Sequence, residues 1–113
     1  SCHCSRCRKA FSAQASAYAL VDAQEFEWLA GEALLTSYSN KQGFGLQFCR
    51  QCGSTLCGTF NGVVHGVTLG CLNGQPEVEI GQHIYVGSKA NWEIMPESSQ
   101  RTIQYIEGAP ENA

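Results

Sequence analysis

The chain has 113 residues, of which 43% are hydrophobic and 15% charged, and its formal net charge is −3. This length allows one domain with a modest core, and the composition excludes a disordered chain. No run of about 18 apolar residues occurs, so the sequence predicts no membrane partner. The negative net charge argues against a nucleic-acid partner held mainly through phosphate contacts.

The chain opens with a dense cysteine cluster, Cys2-His3-Cys4-Ser5-Arg6-Cys7. Two cysteines separated by two residues can both reach one tetrahedral ion, about 2.3 Å from each sulfur. A second pair with this spacing, Cys49 and Cys52, is followed by Gly53, which suits the left-handed backbone of a tight turn. Five of the seven cysteines therefore lie in two segments that are typical of zinc ligands.

A disulfide framework is the main alternative to metal binding. Cys2 and Cys4 are poorly placed for a strain-free bond to each other, and seven cysteines cannot all pair. No secretory leader precedes the cluster, so we expect either that a leader has been removed or that a piece of the domain belongs before Ser1. A reducing cytoplasm with zinc fits this pattern better than an oxidising compartment.

One short helix is predicted over residues 23–29. Asp22 followed by Glu25 resembles a capping box, and the helical register puts Phe26 and Leu29 on one face.

Short strands account for most of the rest of the chain. Asn61-Gly62 is the strongest two-residue hairpin signal, and twelve glycines indicate many turns. We expect Trp92 to cover the core, whereas the polar tail after Pro96 has little pattern. These features predict a mostly β fold with strands over residues 18–21, 33–38, 44–48, 55–60, 63–69 and 83–86.

The remaining cysteines and the histidines are expected in roles other than metal binding. Cys57 and Cys71 stand alone among apolar or small neighbours, and a free cysteine packs as a small hydrophobe, so both are predicted to lie in the core. His3 lies between two candidate ligands and should point away from the metal they share. His65 and His83 are candidates by chemistry only.

Four of the seven basic residues lie within or beside the cysteine segments. One interpretation is an anion-binding rim around a metal site. The other is that these cations offset the charge of three or four thiolates on one Zn²⁺. The two interpretations are compatible, and the residues concerned are Arg6, Arg8, Lys9 and Arg50.

Four motifs stand out when the sequence is taken in order. They are Cys-His-Cys-Ser-Arg-Cys-Arg-Lys at residues 2–9, Phe-Glu-Trp-Leu-Ala-Gly-Glu at 26–32, Phe-Cys-Arg-Gln-Cys-Gly-Ser at 48–54 and His-Ile-Tyr-Val-Gly-Ser-Lys-Ala-Asn-Trp at 83–92. Together they resemble the glutathione-dependent formaldehyde-activating enzyme family, which includes centromere protein V. The resemblance covers roughly residues 1–95 and implies a Mss4-like, or β-tent, fold of coiled β-sheets with zinc-binding cysteine turns.

The resemblance also implies two zinc positions. In that family a Cys-x-Cys-x-x-Cys cluster holds a zinc with an open fourth position, and here that cluster is Cys2, Cys4 and Cys7. A second, structural zinc takes a Cys-x-x-Cys pair, here Cys49 and Cys52, together with a Cys-x-Cys pair nearer the family's N-terminus. The present sequence has no such upstream pair, so we expect a single zinc-binding domain over residues 1–113 that lacks the family's N-terminal strands.

Three explanations of this departure stay open. In the first, the N-terminal strands of the family are absent from this sequence. In the second, the structural zinc is lost, and Cys49 and Cys52 are free thiols. Alternatively, Cys4, Cys7, Cys49 and Cys52 can form one closed site. The choice matters because a closed site is structural, whereas an open one can perform chemistry. A second copy that supplied a missing edge strand would make the protein a homodimer.

The resemblance implies a carbon–sulfur lyase of the S-(hydroxymethyl)glutathione synthase type. Zinc deprotonates a coordinated thiol, so bound glutathione, or a similar thiol, could attack formaldehyde or another small aldehyde. Arg6, Arg8, Lys9, Arg50 and Lys89 are candidates for pairing with the carboxylates of glutathione. The alternatives are a thiol carrier and a non-catalytic, zinc-stapled binding module.

Overall fold

The computed structural model of the chain describes residues 1–96 and 104–107. Strands dominate this part of the chain, and its one α-helix has seven residues. The prediction of a mostly β fold with one short helix is therefore confirmed. No helix within the described ranges is long and apolar enough to cross a membrane.

The chain divides into two compact units. The cysteine unit consists of residues 1–17 and 76–113, and the sheet unit consists of residues 18–75. The expectation of one zinc-binding domain over the whole chain stays a prediction.

The sheet unit is built on five antiparallel strands in the order β1-β5-β4-β3-β2. All five were predicted from the sequence, with differences of at most two residues at their ends, because alternating side chains and turn residues mark them locally. The strands are Tyr18–Leu20 (β1), Leu35–Ser39 (β2), Phe44–Cys49 (β3), Thr55–Phe60 (β4) and Val63–Thr68 (β5).

A two-residue turn joins β4 to β5, as the sequence predicts. Asn61 has a φ of 51° and Gly62 a φ of 80°, the two positive values that a type I′ turn requires. Phe60 pairs with Val63 directly beside the turn. The turn therefore sets the pairing of the residues next to it, and the register shifts farther along, between Gly58 and Thr59.

The cysteine unit contains the helix and two short parallel strands. The helix spans Ser5–Phe11 (α1), and the strands are Gln82–Ile84 (β6) and Gln104–Ile106 (β7). Cys2 forms isolated bridges to Ser16 and to Ile84. The first residues of the chain thus lie between a returning loop and β6.

The predicted helix over residues 23–29 is wrong. Only Ala23–Glu25 form one 3-10 turn, in which the Asp22 carboxylate accepts a hydrogen bond from the Gln24 amide. Phe26 is already extended, with φ −103° and ψ 133°, and its ring packs edge-on against Trp28, with 5.0 Å between centroids. Residues i and i+2 share a face only in an extended chain, so this aromatic pair is incompatible with a helix.

Three other expectations change with the structure. Trp92 is 66% exposed, so it does not cover a core, whereas the small Ala90 is buried. The only α-helix of the described chain begins directly after the first two cysteines, where none was predicted. The weakly patterned tail supplies β7, whose pairing depends on the distant β6 rather than on its own sequence.

Candidate metal centre

The structure brings Cys2, Cys4 and Cys7 together. Their three Sγ atoms all lie within 4.8 Å of one another. Cys2 and Cys4 are only 5% and 2% exposed, and Cys7 is half-buried. Three thiol sulfurs at such separations suit one tetrahedral Zn²⁺ with Zn–S bonds of about 2.3 Å.

Local backbone geometry explains the convergence of the last two sulfurs. Cys4 is the N-cap of α1, with φ −65° and ψ 155°, and its Sγ accepts a hydrogen bond from the backbone N–H of Cys7 at 3.3 Å. An N-cap side chain folds back over the first turn of its helix to reach such an amide. Cys7 lies on that turn, so the cap brings the two side chains to the same end of α1.

Cys2 reaches the cluster through pairing with a distant segment. Its N–H donates to the Ser16 carbonyl at 2.9 Å, and the Ser16 N–H donates back to the Cys2 carbonyl at 3.0 Å. Ser16 is itself 2% exposed. This two-way pairing fixes the extended backbone before α1.

The pKa values of the three thiols are shifted in different directions. Hydrogen bonds from Cys2 and then Cys7 lower the pKa of Cys4. The pKa of Cys2 is raised, mainly by its hydrogen bond to Cys4, then by its hydrogen bond to Cys7 and by burial. For Cys7, contact with Cys2 lowers the pKa, but Cys4 and burial outweigh it and the net shift is upward. The geometry thus favours a Cys4 thiolate that accepts hydrogen bonds from its two neighbours.

The two histidines of the cysteine unit meet away from the sulfurs. His3 Nε2 lies 2.9 Å from His83 Nδ1, and the two residues are 1% and 8% exposed. Burial lowers the pKa of both rings, which favours neutral imidazoles. His3 is thus not part of the ligand group that the three thiols form, as the sequence predicts.

Basic side chains follow the cluster along α1. Arg6 and Arg8 are half-buried and Lys9 is exposed. The Nε atom of Arg8 is buried and has no hydrogen-bond partner within the described residues. Lys89 is exposed, and its ammonium donates to the Glu93 carbonyl at 3.3 Å.

The second cysteine pair forms a turn at the end of β3. The Gly53 N–H donates to the Cys49 carbonyl at 2.7 Å, and Gly53 has the predicted positive φ, 80°. Cys52 is exposed, and hydrogen bonding to Ser54 holds the pKa of its thiol below the ordinary value. Arg50 is exposed in the same turn.

Within residues 18–75, all of which are described, no third cysteine, histidine or carboxylate joins this pair as a ligand group. The role of Cys49 and Cys52 as metal ligands stays a prediction.

The two isolated cysteines differ from each other. Cys57 is fully buried and its thiol donates to the Gln47 side-chain oxygen at 3.2 Å, so its predicted place in the core is confirmed. Cys71 is exposed, with its thiol 3.2 Å from the Thr55 carbonyl oxygen, so the same prediction is wrong for Cys71. It follows the end of β5, where the chain leaves the sheet.

Two contacts of the cysteine segment could not be predicted from the sequence. Nothing in the local sequence links His83 to His3, 80 positions away, or Ser16 to Cys2. Both contacts depend on how loops return to the N-terminal segment. The one relevant local signal is the alternation of side chains about His3, which predicts that its ring faces away from the metal.

The family model described as glutathione-dependent formaldehyde-activating enzyme matches residues 1–88. The matched region contains the thiol cluster, the whole sheet unit and β6. Searches of curated proteins and of solved structures gave no significant match.

Proposed function

Because the chain belongs to the glutathione-dependent formaldehyde-activating enzyme family, we propose that it adds the thiol of glutathione to formaldehyde at a zinc ion held by Cys2, Cys4 and Cys7. The Mss4-like fold of the family agrees with the mostly β architecture and its cysteine turns. The observation that carries the proposal is the convergence of three thiols within the region matched by the family model.

The proposed reaction adds S–H across the carbonyl of the aldehyde. A carbon–sulfur bond forms, the carbon–oxygen π bond opens, and the thiol proton ends on the new hydroxyl oxygen. The product is S-(hydroxymethyl)glutathione. The reverse reaction breaks the carbon–sulfur bond, which makes the enzyme a carbon–sulfur lyase.

The cluster suits a thiol substrate better than direct activation of an aldehyde. Zinc, when bound, supplies the positive charge that keeps a substrate thiol deprotonated near neutral pH. Cys2, Cys4 and Cys7 would donate three negative charges, which leaves little charge to polarise a carbonyl. The half-buried Cys7 marks the accessible side of the cluster, whereas Cys2 and Cys4 lie inside.

Glutathione is an anion, and cations lie next to the cluster in sequence. We assign its carboxylates to the basic side chains that follow Cys4 along α1. The Arg8 Nε atom is buried and has no partner among the described residues, which favours an anionic neighbour, since a charged donor without a partner is costly to bury. The other proposed contacts within the cysteine unit are Arg6, Lys9 and Lys89, whereas the role of Arg50, which lies in the sheet unit, stays a prediction.

Metal content tests the site. Elemental analysis should find that Cys2→Ser contains one zinc fewer per chain than the wild type. The matched control is Cys71→Ala, which changes an exposed cysteine and should keep the wild-type content. An unchanged content in Cys2→Ser would contradict the open site and favour a closed one made by Cys4, Cys7, Cys49 and Cys52.

Turnover tests the chemistry. Exchange NMR on mixtures of glutathione and formaldehyde should show adduct formation faster than the uncatalysed background, with the acceleration lost in Cys2→Ser and kept in Cys71→Ala. A zinc-loaded protein without acceleration would contradict the catalytic role. In that case a Co²⁺ spectrum that shifts with glutathione would indicate a thiol carrier, and an unchanged spectrum would indicate a binding module.

A further inference from the structure

We propose that the buried hydrogen bond between His3 and His83 positions Cys2 and Cys4 for metal binding, so that His83 is a positioning residue of the site. The inference rests on the proposed function, because it assigns a role toward the metal that Cys2, Cys4 and Cys7 are proposed to hold. It concerns two side chains that neither the thiol chemistry nor the anion contacts use.

Alternation along the backbone places the ring opposite the sulfurs. Cys2 pairs as a bridge residue and Cys4 is extended, so consecutive side chains between them point to opposite sides. The imidazole of His3 therefore lies on the reverse side of the segment that carries two of the three sulfurs. Fixing that ring fixes both cysteines at once.

His83 fixes the ring through a short contact inside the cysteine unit. The nitrogen atoms are 2.9 Å apart, and the ring planes are inclined by 40°, with 5.1 Å between centroids. The backbone supports the same arrangement, because the His3 N–H donates to the Ile84 carbonyl at 2.9 Å. Side chain and main chain thus hold the segment against β6 at the same point.

His83 is itself held from its other side. The ring of Tyr105 on β7 stacks on it with 5.4 Å between centroids and an interplanar angle of 12°. The Tyr105 hydroxyl donates to the Pro96 carbonyl. A continuous series of contacts therefore runs from β7 through His83 and His3 to the thiol segment.

The hydrogen bond matters because the rings have few other polar contacts. The Nδ1 atom of His3 is buried without a partner in the described part of the chain. The bond to His83 is thus what satisfies this ring, and its loss would leave a fully buried imidazole unpaired, which is strongly unfavourable. The segment would then be free to move so that the ring could reach water.

Two substitutions of His83 separate hydrogen bonding from packing. His83→Asn keeps a polar atom near the position of Nδ1, whereas His83→Phe keeps a ring of similar size and removes both nitrogens. The matched control is His65→Phe, because His65 is a half-buried histidine of the sheet unit that packs edge-on against Tyr18. Circular dichroism identifies any variant that fails to fold.

Zinc affinity is the first readout, measured by competition with a chromophoric chelator. Loss of a group that orients a metal ligand typically weakens metal binding by about 10–100-fold. We expect a loss of this size in His83→Phe, an altered Co²⁺ absorption spectrum, and values close to wild type in His83→Asn and His65→Phe. Equal affinities and spectra in wild type and His83→Phe would overturn the inference.

The second readout uses the zinc-free full chain and therefore does not depend on the proposed function. Cys2 and Cys4 are buried, so iodoacetamide should modify them slowly, as mapped by mass spectrometry of peptides. His83→Phe should speed modification of both, and neither His83→Asn nor His65→Phe should do so. Unchanged rates in His83→Phe would overturn the inference. A wild type that binds no zinc but shows this pattern would overturn the proposed function and still show that His83 positions the two thiols.

Discussion

Cys4 combines two roles at the scale of a single residue. It is one of the three converging thiols, and it is also the N-cap of α1, where its sulfur accepts a hydrogen bond from the Cys7 amide. A residue that both caps a helix and binds a metal couples the helix to the metal. Substitution can separate the two roles, because serine is a better N-cap than alanine and neither replaces a thiolate.

We predict that Cys4→Ser and Cys4→Ala both lose the proposed zinc but differ in the zinc-free state. The hydroxyl of Cys4→Ser can still accept from the Cys7 amide, so its free energy of unfolding should exceed that of Cys4→Ala by about 1 kcal/mol. Elemental analysis and urea denaturation measure the two effects. Full zinc in Cys4→Ser would show that Cys4 is not a ligand.

The two isolated cysteines provide a second prediction at this scale. Both Cys57→Ala and Cys71→Ala should keep the metal, since neither belongs to the thiol cluster. Cys57→Ala should lower the free energy of unfolding by about 1–2 kcal/mol, because it empties a fully buried position. Cys71→Ala should change it by less than about 0.5 kcal/mol. Urea denaturation checks both values, and equal losses in the two variants would contradict the structure.

At the scale of secondary-structure elements, the sheet depends on close backbone approach between β2 and β3. Gly45 pairs with Ser39, and a Cβ atom added at Gly45 would lie 2.2 Å from the Tyr38 carbonyl oxygen. That oxygen belongs to the main chain of the neighbouring strand, so no side-chain rotation can relieve the clash. Glycine is needed here for space rather than for a positive φ.

We therefore predict that Gly45→Ala destabilises the protein by about 1–3 kcal/mol, the usual range for overpacking. Gly70→Ala is the control, since a Cβ atom there meets nothing within 4 Å. Thermal and urea denaturation of the two variants provide the comparison. If Gly45→Ala proved as stable as Gly70→Ala, the pairing of β2 with β3 in this register would be wrong.

At the scale of the whole molecule, the two units differ in what stabilises them. The buried residues of the cysteine unit are mostly polar or thiol-bearing, with Ala90 the one buried aliphatic residue among those described. Hydrophobic burial is small in both units, since Cys57 is the one residue with a buried apolar side chain described in the sheet unit. In the cysteine unit, binding of a metal contributes directly to folding when the apo site is weakly held. The sheet unit has instead a continuous ladder of five strands.

We predict that removal of the proposed zinc loosens the cysteine unit selectively. Amide hydrogen exchange after treatment with a chelator should speed at His3 and Ile84, which bond the N-terminal segment to β6. Amides of β3, β4 and β5 should keep their protection. Equal acceleration in both units would show that the metal stabilises the entire chain, and no acceleration anywhere would show that it stabilises neither.

Local chemistry made much of this protein predictable from its sequence. The strands of the sheet follow from side-chain alternation and turn residues, and Asn61-Gly62 determines its hairpin because those residues adopt positive φ at little cost. The spacing of Cys2, Cys4 and Cys7 indicates a metal centre because a few bonds suffice to bring such sulfurs to one ion. The order of four motifs was enough to identify the family.

The tertiary structure alone decided the contacts that join distant segments. The His3–His83 bond, the pairing of Cys2 with Ser16 and the docking of β7 on β6 each depend on where another part of the chain returns. The same holds for exposure, since Cys57 and Cys71 have similar neighbours in sequence but opposite burial. Sequence patterns report the nearest few residues, whereas burial and long-range hydrogen bonds are properties of the folded chain.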